Sequence, residues 1–208
     1  MYIPAAYRVD DRARAYDLIR NHGFATLVTE GEGAPFASHL PFLLDLDATG
    51  QPRLRSHLAR ANPQWTQFRP GKEVLVIFHG PHAYISPSWY VSKVAVPTWN
   101  YATVHVYGVP ELIEDRAALR ALVDETTEKY ESSRPQPWRL EMPEAAVDGL
   151  LRSIVGFGVT VTRIETKFKL GQNRSAADQD GMLAALEMSS DAEARSLGAF
   201  IRRQRAPD

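Results

Sequence analysis

YISPSWYVSKVAVPTWNYATVHVYG, residues 84–108, decides how the rest of this chain is read. Its second half alternates. A strand over 98–108 puts Trp99, Tyr101, Thr103, His105 and Tyr107 on one face, with Ala102, Val104 and Val106 on the other. The aliphatic face suits the core of a sheet or barrel. The aromatic face offers flat rings with hydrogen-bonding tips, which suits a planar ligand or a partner subunit. Aromatic residues also favour strands for their own sake, so periodicity leaves open a strand that is merely half-buried. Pro87 and Pro97 make residues 86–96 a shaped connection and not one continuous strand.

Upstream, residues 1–7 read as an extended arm broken by Pro4. Asp10 or Asp11 caps a helix running to about His22, where Gly23 stops it. The period then shortens to two. Strands are expected over 24–29, 35–45 and 53–58, with loops at 31–33 and 47–51. Asn62-Pro63 starts a short helix ending near Phe68. Residues 74–78 are continuously apolar, the mark of a strand covered on both sides, and a Gly80-Pro81 turn is expected beyond it. Downstream come helices over 115–131 and 144–153, separated by a proline-bearing linker or lid at 132–143. A last strand over 154–165, a loop over 167–175, and helices over 175–186 and 191–204 complete the chain. Clustered strands ahead of a helical C-terminus argue for an α+β protein, mainly β with helices: a small β-barrel decorated by helices, not a doubly wound parallel sheet.

The chain has 208 residues, enough to bury a proper core. A net charge of −1 gives no support for a broad nucleic-acid-binding face, although a local patch is compatible with it. The absence of cysteine excludes disulfides and thiolate metal sites. No apolar signal core or spanning segment is present, so a soluble cytoplasmic protein with no membrane partner is expected.

Three places concentrate chemistry. On the 53–58 strand, Arg53, Arg55 and His57 share one face, and Arg60 and Asn62 follow at a helix start. Guanidinium beside exposed backbone N–H groups makes a phosphate cradle. Arg53 reads better as a solvated strand edge. Ser38 and His39 interrupt an apolar strand, with Pro41 confining it to an edge or bulge. Lys167, Lys169, Gln172, Asn173 and Arg174 form the densest polar cluster, able to read a heterocycle edge, to hold a phosphate, or simply to be solvated. The six histidines show no HxH or HExxH spacing, so no metal site is expected. GxSxG, the P-loop and GxGxxG are all missing.

Taken together in order, MYIP, SHLPF (38–42), HLARANPQW (57–65), YISPSWY, VPTWNY, VHVYG and KLGQNRSAAD resemble the PaiB family of FMN-binding negative transcriptional regulators, over nearly the whole chain. One departure is Gly171, where serine is expected. The resemblance implies a split β-barrel like that of pyridoxamine-phosphate oxidases and flavin reductases. It implies a homodimer with FMN in grooves at the subunit interface, and one domain over 1–208 with a helical extension from about 175. It carries Ser38, His39, His57, Ala59, Arg60 and Asn62 over as FMN-site positions. Trp99, Gln172, Asn173 and Arg174 match family motifs with less defined roles. DNA is the implied further partner, and 167–174 with the Arg202-Arg203-Gln204-Arg205 tail is the candidate contact. Because no helix-turn-helix signal is visible, an enzyme stands as the alternative: a flavin-dependent oxidoreductase, or a haem-utilising split-barrel protein using one of His39, His57 or His105. A dimeric barrel that has lost flavin is the third reading.

Overall fold

The computed structural model describes residues 1–205. Seven strands form one sheet: β1 (Phe24–Glu30), β2 (Pro35–Pro41), β3 (Leu43–Leu46), β4 (Pro52–Ala59), β5 (Val74–Ile85), β6 (Thr98–Ile113) and β7 (Ile154–Lys169). Five helices accompany it: α1 (Arg12–Asn21), α2 (Arg116–Glu131), α3 (Glu144–Arg152), α4 (Ala176–Glu187) and α5 (Ala192–Arg205). The class is α+β, and the strand order is β2-β1-β5-β6-β7-β4-β3. Packing divides the chain into two compact units. A barrel unit comprises Ile19–Phe78 and His105–Ile164, and a terminal unit comprises Met1–Leu18, His79–Val104 and the chain from Glu165.

In the barrel unit, the expected single strand over 35–45 is two. β2 pairs with β1, and β3 pairs with β4, both antiparallel. Pro41 has no N–H to offer a ladder, and the next N–H, that of Phe42, donates to the Gly23 carbonyl at 2.8 Å. The chain therefore changes partners at one residue. Since β2 and β3 are the two ends of the strand order, the sheet must curl until its edges meet at Phe42. The Phe42 ring lies 5.9 Å from Phe78 and 6.0 Å from Phe157, both edge-on, inside a core that also holds Leu27, Leu54, Leu58 and Val76. The Ser56 hydroxyl donates to Pro41 O at 2.6 Å across the closure.

Helix α2 starts as expected, with Asp115 accepting from Ala118 N at 2.7 Å. Leu119 and Leu122 of α2 pack on Val147 and Leu151 of α3 and on Leu43. A side chain at Gly156 would meet Leu119 Cδ1 at 2.6 Å, so that glycine lets α2 lie close to β7.

In the terminal unit, α4 is capped by Ser175, which accepts from Asp178 N at 3.2 Å. It buries Met182, Leu183 and Leu186 with Leu197, Phe200 and Ile201 of α5. The expected turn at Gly80-Pro81 is absent, and β5 runs straight through to Ile85. A side chain on Gly80 would lie 2.9 Å from Leu18 and 3.1 Å from Ala102, so the glycine there serves close approach, not reversal. β7 likewise continues to Lys169, beyond the expected end at 165. No helix among the described residues is long and apolar enough to cross a membrane.

Candidate functional site

The barrel unit holds six of the residues singled out from the sequence. On edge strand β2, Ser38 stands opposite Leu27 and His39 opposite Thr26. His39 is exposed, with Nδ1 3.1 Å from the Thr26 hydroxyl. On β4, His57 and Ala59 pair with Gly156 and Ile154 of β7. His57 is half-buried, and desolvation lowers its pKa, so the imidazole is neutral near pH 7. Beside it on the same face, Arg55 forms a bidentate pair with Asp45 and reaches Glu125 as well. Its hydrogen bonds to Asp45 hold its pKa above the ordinary arginine value.

Asn62 makes the connection the sequence could not show. Its side-chain oxygen accepts from Gln64 N at 3.0 Å and caps the 3₁₀ turn Pro63–Gln67. Its amide nitrogen donates to Ser38 Oγ at 2.8 Å. Ser38 is thereby an acceptor toward Asn62 and keeps its own O–H to give. Arg60 follows β4 and clamps the α3–β7 junction. Its backbone N–H donates to Ser153 O at 2.8 Å, Nε to Arg152 O at 2.7 Å, and Nη2 to Ile154 O at 2.8 Å. A guanidinium has five N–H donors, so this clamp leaves more than half of them for a ligand. The Ser38 O–H and the exposed guanidinium of Arg60 are donors of the kind a phosphate accepts from, and the small Ala59 beside Arg60 adds no bulk.

The terminal unit holds the other four. Trp99 is 50% exposed on β6, and its Nε1 donates to His82 Nδ1 at 3.3 Å. Its ring centre lies 5.9 Å from His82 and 6.3 Å from Tyr84, itself 47% exposed. The result is an open aromatic shelf. On the far side of β6, Asn100 and Ala102 are buried. Gln172 is exposed, but its amide bonds back on its own loop, accepting from Leu170 N at 2.8 Å and donating to Phe168 O at 2.5 Å. Asn173 is exposed. Arg174 lies 4.7 Å over the Tyr90 ring. Gly171 has φ +87°, a backbone geometry that disfavours a side chain, which gives the glycine at this position its physical reason.

Sequence reasoning did not attach His82 and Tyr84 to Trp99. Reading β5 as unbroken past Gly80 would have placed both on one face by the two-residue period. Elsewhere in the barrel unit, a cavity of about 660 Å³ opens between α2, residues 132–143 and α3, walled by Val123, Trp138, Leu140, Met142 and Leu150. It contains none of the residues singled out above.

Residues 1–163 match a family model described as "Putative FMN-binding domain". The chain belongs to this FMN-binding family. FMN is accordingly its cofactor, and the phosphate-fitting donors around Ser38 and Arg60 agree with that family's ligand. The chain is 37% identical over 206 residues to the "Protease synthase and sporulation protein PAI 2" of Bacillus subtilis, covering 97% of this chain and 96% of that protein. Among solved structures, it resembles the FAD and heme binding protein from Mycobacterium smegmatis. The TM-score is 0.62 at 18% identity, over 84% of this chain and 78% of that one. It also resembles the flavocytochrome Anf3 from Azotobacter vinelandii, with a TM-score of 0.61 at 12% identity, over 78% and 69% of the two chains. The fold is the split barrel of the pyridoxamine-phosphate-oxidase type.

Proposed function

We propose that this chain is an FMN-binding negative transcriptional regulator of the PaiB type. It acts in the cytoplasm as a homodimer, with flavin at the subunit interface. The observation that carries the reading is the near-full-length identity to PAI 2. The chain works as one FMN-binding split-barrel domain with α4 and α5 as its helical extension. Ser38, Arg60 and Asn62 hold the FMN phosphate, with His39, His57 and Ala59 beside them. Trp99, Gln172, Asn173 and Arg174 are further FMN-site positions by their match to the family's motifs, Trp99 through its open ring face and Gln172 through the loop its amide closes. That shelf of large, exposed aromatic groups is also the kind of surface a second subunit covers. Titrating operator-like and random duplexes with the FMN-loaded protein at several salt concentrations tests direct repression. Sequence-selective binding is expected, and no binding at low salt excludes it.

One observation favours a flavin-dependent oxidoreductase as the second reading. Three of the cations available for DNA in the terminal unit already have partners within the protein. Arg202 pairs with Glu187 through two bonds of 2.7 Å, Arg205 with Asp180 at 3.0 Å, and Arg174 with the Tyr90 ring. In such an enzyme the flavin carries the electrons and the protein orients it. Anaerobic mixing with NADH or NADPH distinguishes the two: catalytic bleaching of the flavin bands favours the enzyme, and an unreduced flavin favours the regulator.

A further inference from the structure

Near the end of β7 two lysines carry charge that no carboxylate among the described residues answers. Lys167 and Lys169 occupy alternate positions of the strand, so both side chains leave the same face. Lys167 is only 8% exposed. Its ammonium donates to Tyr2 O at 3.2 Å and lies 5.1 Å from the Tyr101 ring centre and 5.7 Å from that of Tyr2. Lys169 donates to the Thr98 hydroxyl and to Trp99 O at 2.8 Å. Among the described residues neither lysine has an ion pair. Two acids of the same unit are committed elsewhere. Glu165, two residues before Lys167 on the same strand face, pairs with the Met1 ammonium. Asp178 accepts from Ser92 N at 2.9 Å and from the Ser92 hydroxyl at 2.6 Å.

Carbonyl dipoles and ring faces soften a buried ammonium but leave its charge in place. Burial and then the Lys167 charge lower the Lys169 pKa, with Tyr101 opposing, which is the direction expected where two cations lack a counter-ion. Two ammonium groups balance a dianion, and lysine binds phosphate as a compact point charge. The rings of Tyr2 and Tyr101 stand immediately beside the charge. A ligand whose aromatic ring adjoins its phosphate would use both. FMN does not match that spacing, because a ribityl chain separates its phosphate from its ring.

We propose that Lys167 and Lys169, with the rings of Tyr2 and Tyr101, form a site for the phosphate group of a small aromatic phosphate ester other than FMN. The site stands whether the protein is a regulator or an enzyme, as an effector site in one case and a substrate site in the other.

The test is calorimetric titration of phenyl phosphate into the FMN-saturated protein, repeated without FMN, with inorganic phosphate and benzyl alcohol as comparison probes. Saturable phenyl phosphate binding is expected, tighter than that of either comparison probe. Lys169→Met should weaken it about ten- to a hundredfold, the range for a lost charge-assisted hydrogen bond. Lys167→Met should do the same, and Tyr101→Leu should weaken phenyl phosphate more than inorganic phosphate. FMN affinity and the thermal melt of Lys169→Met should match the parent. Should Lys167→Met not fold, Lys169→Met and Tyr101→Leu decide the question. The proposal is overturned if phenyl phosphate does not bind saturably, if it binds no better than inorganic phosphate, or if the folded variants bind it as the parent does. It is equally overturned if phenyl phosphate displaces FMN and the lysine variants lose FMN, since the pair would then hold the flavin phosphate.

Discussion

Arg55 on β4 and Lys167 on β7 are both cations largely withdrawn from water, and they have opposite surroundings. Arg55 is held by two carboxylates, Asp45 and Glu125, brought to it from β3 and α2. Lys167 meets a carbonyl and two tyrosine rings. A charge already answered has structural work to do, because removing it strands its partners. A charge left unanswered adds little to the fold beyond the packing of its stem and is available to something that arrives later. The barrel unit is rich in the first kind, and the end of β7 carries the second.

The largest effect that would test this contrast is on stability. Arg55→Met should lower the unfolding free energy by about 2–4 kcal/mol, because Asp45 and Glu125 lose their counter-charge together. Urea unfolding measures it, and a loss under 1 kcal/mol would erase the distinction. Arg60 is an intermediate case, part clamp and part open donor. Arg60→Ala should weaken FMN binding by about 1.5–3 kcal/mol, read by recovery of flavin fluorescence, with a smaller loss of stability from the freed carbonyls of Arg152 and Ile154. An unchanged FMN affinity would assign all of Arg60 to the clamp.

His57 extends the contrast to a group that burial keeps neutral. Its pKa is lower in the folded than in the unfolded protein, so its contribution is fully present above the unfolded value of about 6.5 and is lost as pH falls through and below it. Stability should decline across that window, and His57→Gln should flatten the decline, as seen in melts at pH 5 and 7.5. The smallest effect is expected at Arg202. Its pair with Glu187 is well aligned but exposed, and Arg202→Ala should cost only about 0–1 kcal/mol in the same urea assay.

Much of the fold was legible because periodicity and caps are local. The two-residue alternation of Trp99, Tyr101, Ala102 and Val104, the Asp115 and Ser175 caps, and the Asn62-Pro63 start all appear where the residues place them. Local signals failed where the determining contact was distant. Gly80-Pro81 has turn chemistry, but the approach of Leu18 and Ala102 gives that glycine another use. At Phe42 the chain leaves β1, which faces Pro41, for β4, which faces Leu43, and the Ser56 bond to Pro41 O across that seam forms only once the sheet has curled. The candidate site shows the same division. Residue types identified Arg60 and Asn62 as polar groups suited to phosphate, and the family resemblance added Ser38 as an FMN-site position. That Asn62 reaches Ser38 while Gln172 is consumed by its own loop depends on backbone geometry that composition does not encode.

The handover at Phe42 has an engineering consequence. Only one residue joins the two outermost strands, so the seam has no slack to absorb a length change. A single inserted amino acid there would send alternate side chains of either flanking strand to the wrong side. The five-residue reversal between β3 and β4, by contrast, leads only to a neighbouring strand and has room to grow. A peptide tag or a new chain terminus placed in that reversal should leave the barrel intact, whereas the same change at Phe42 should unzip it.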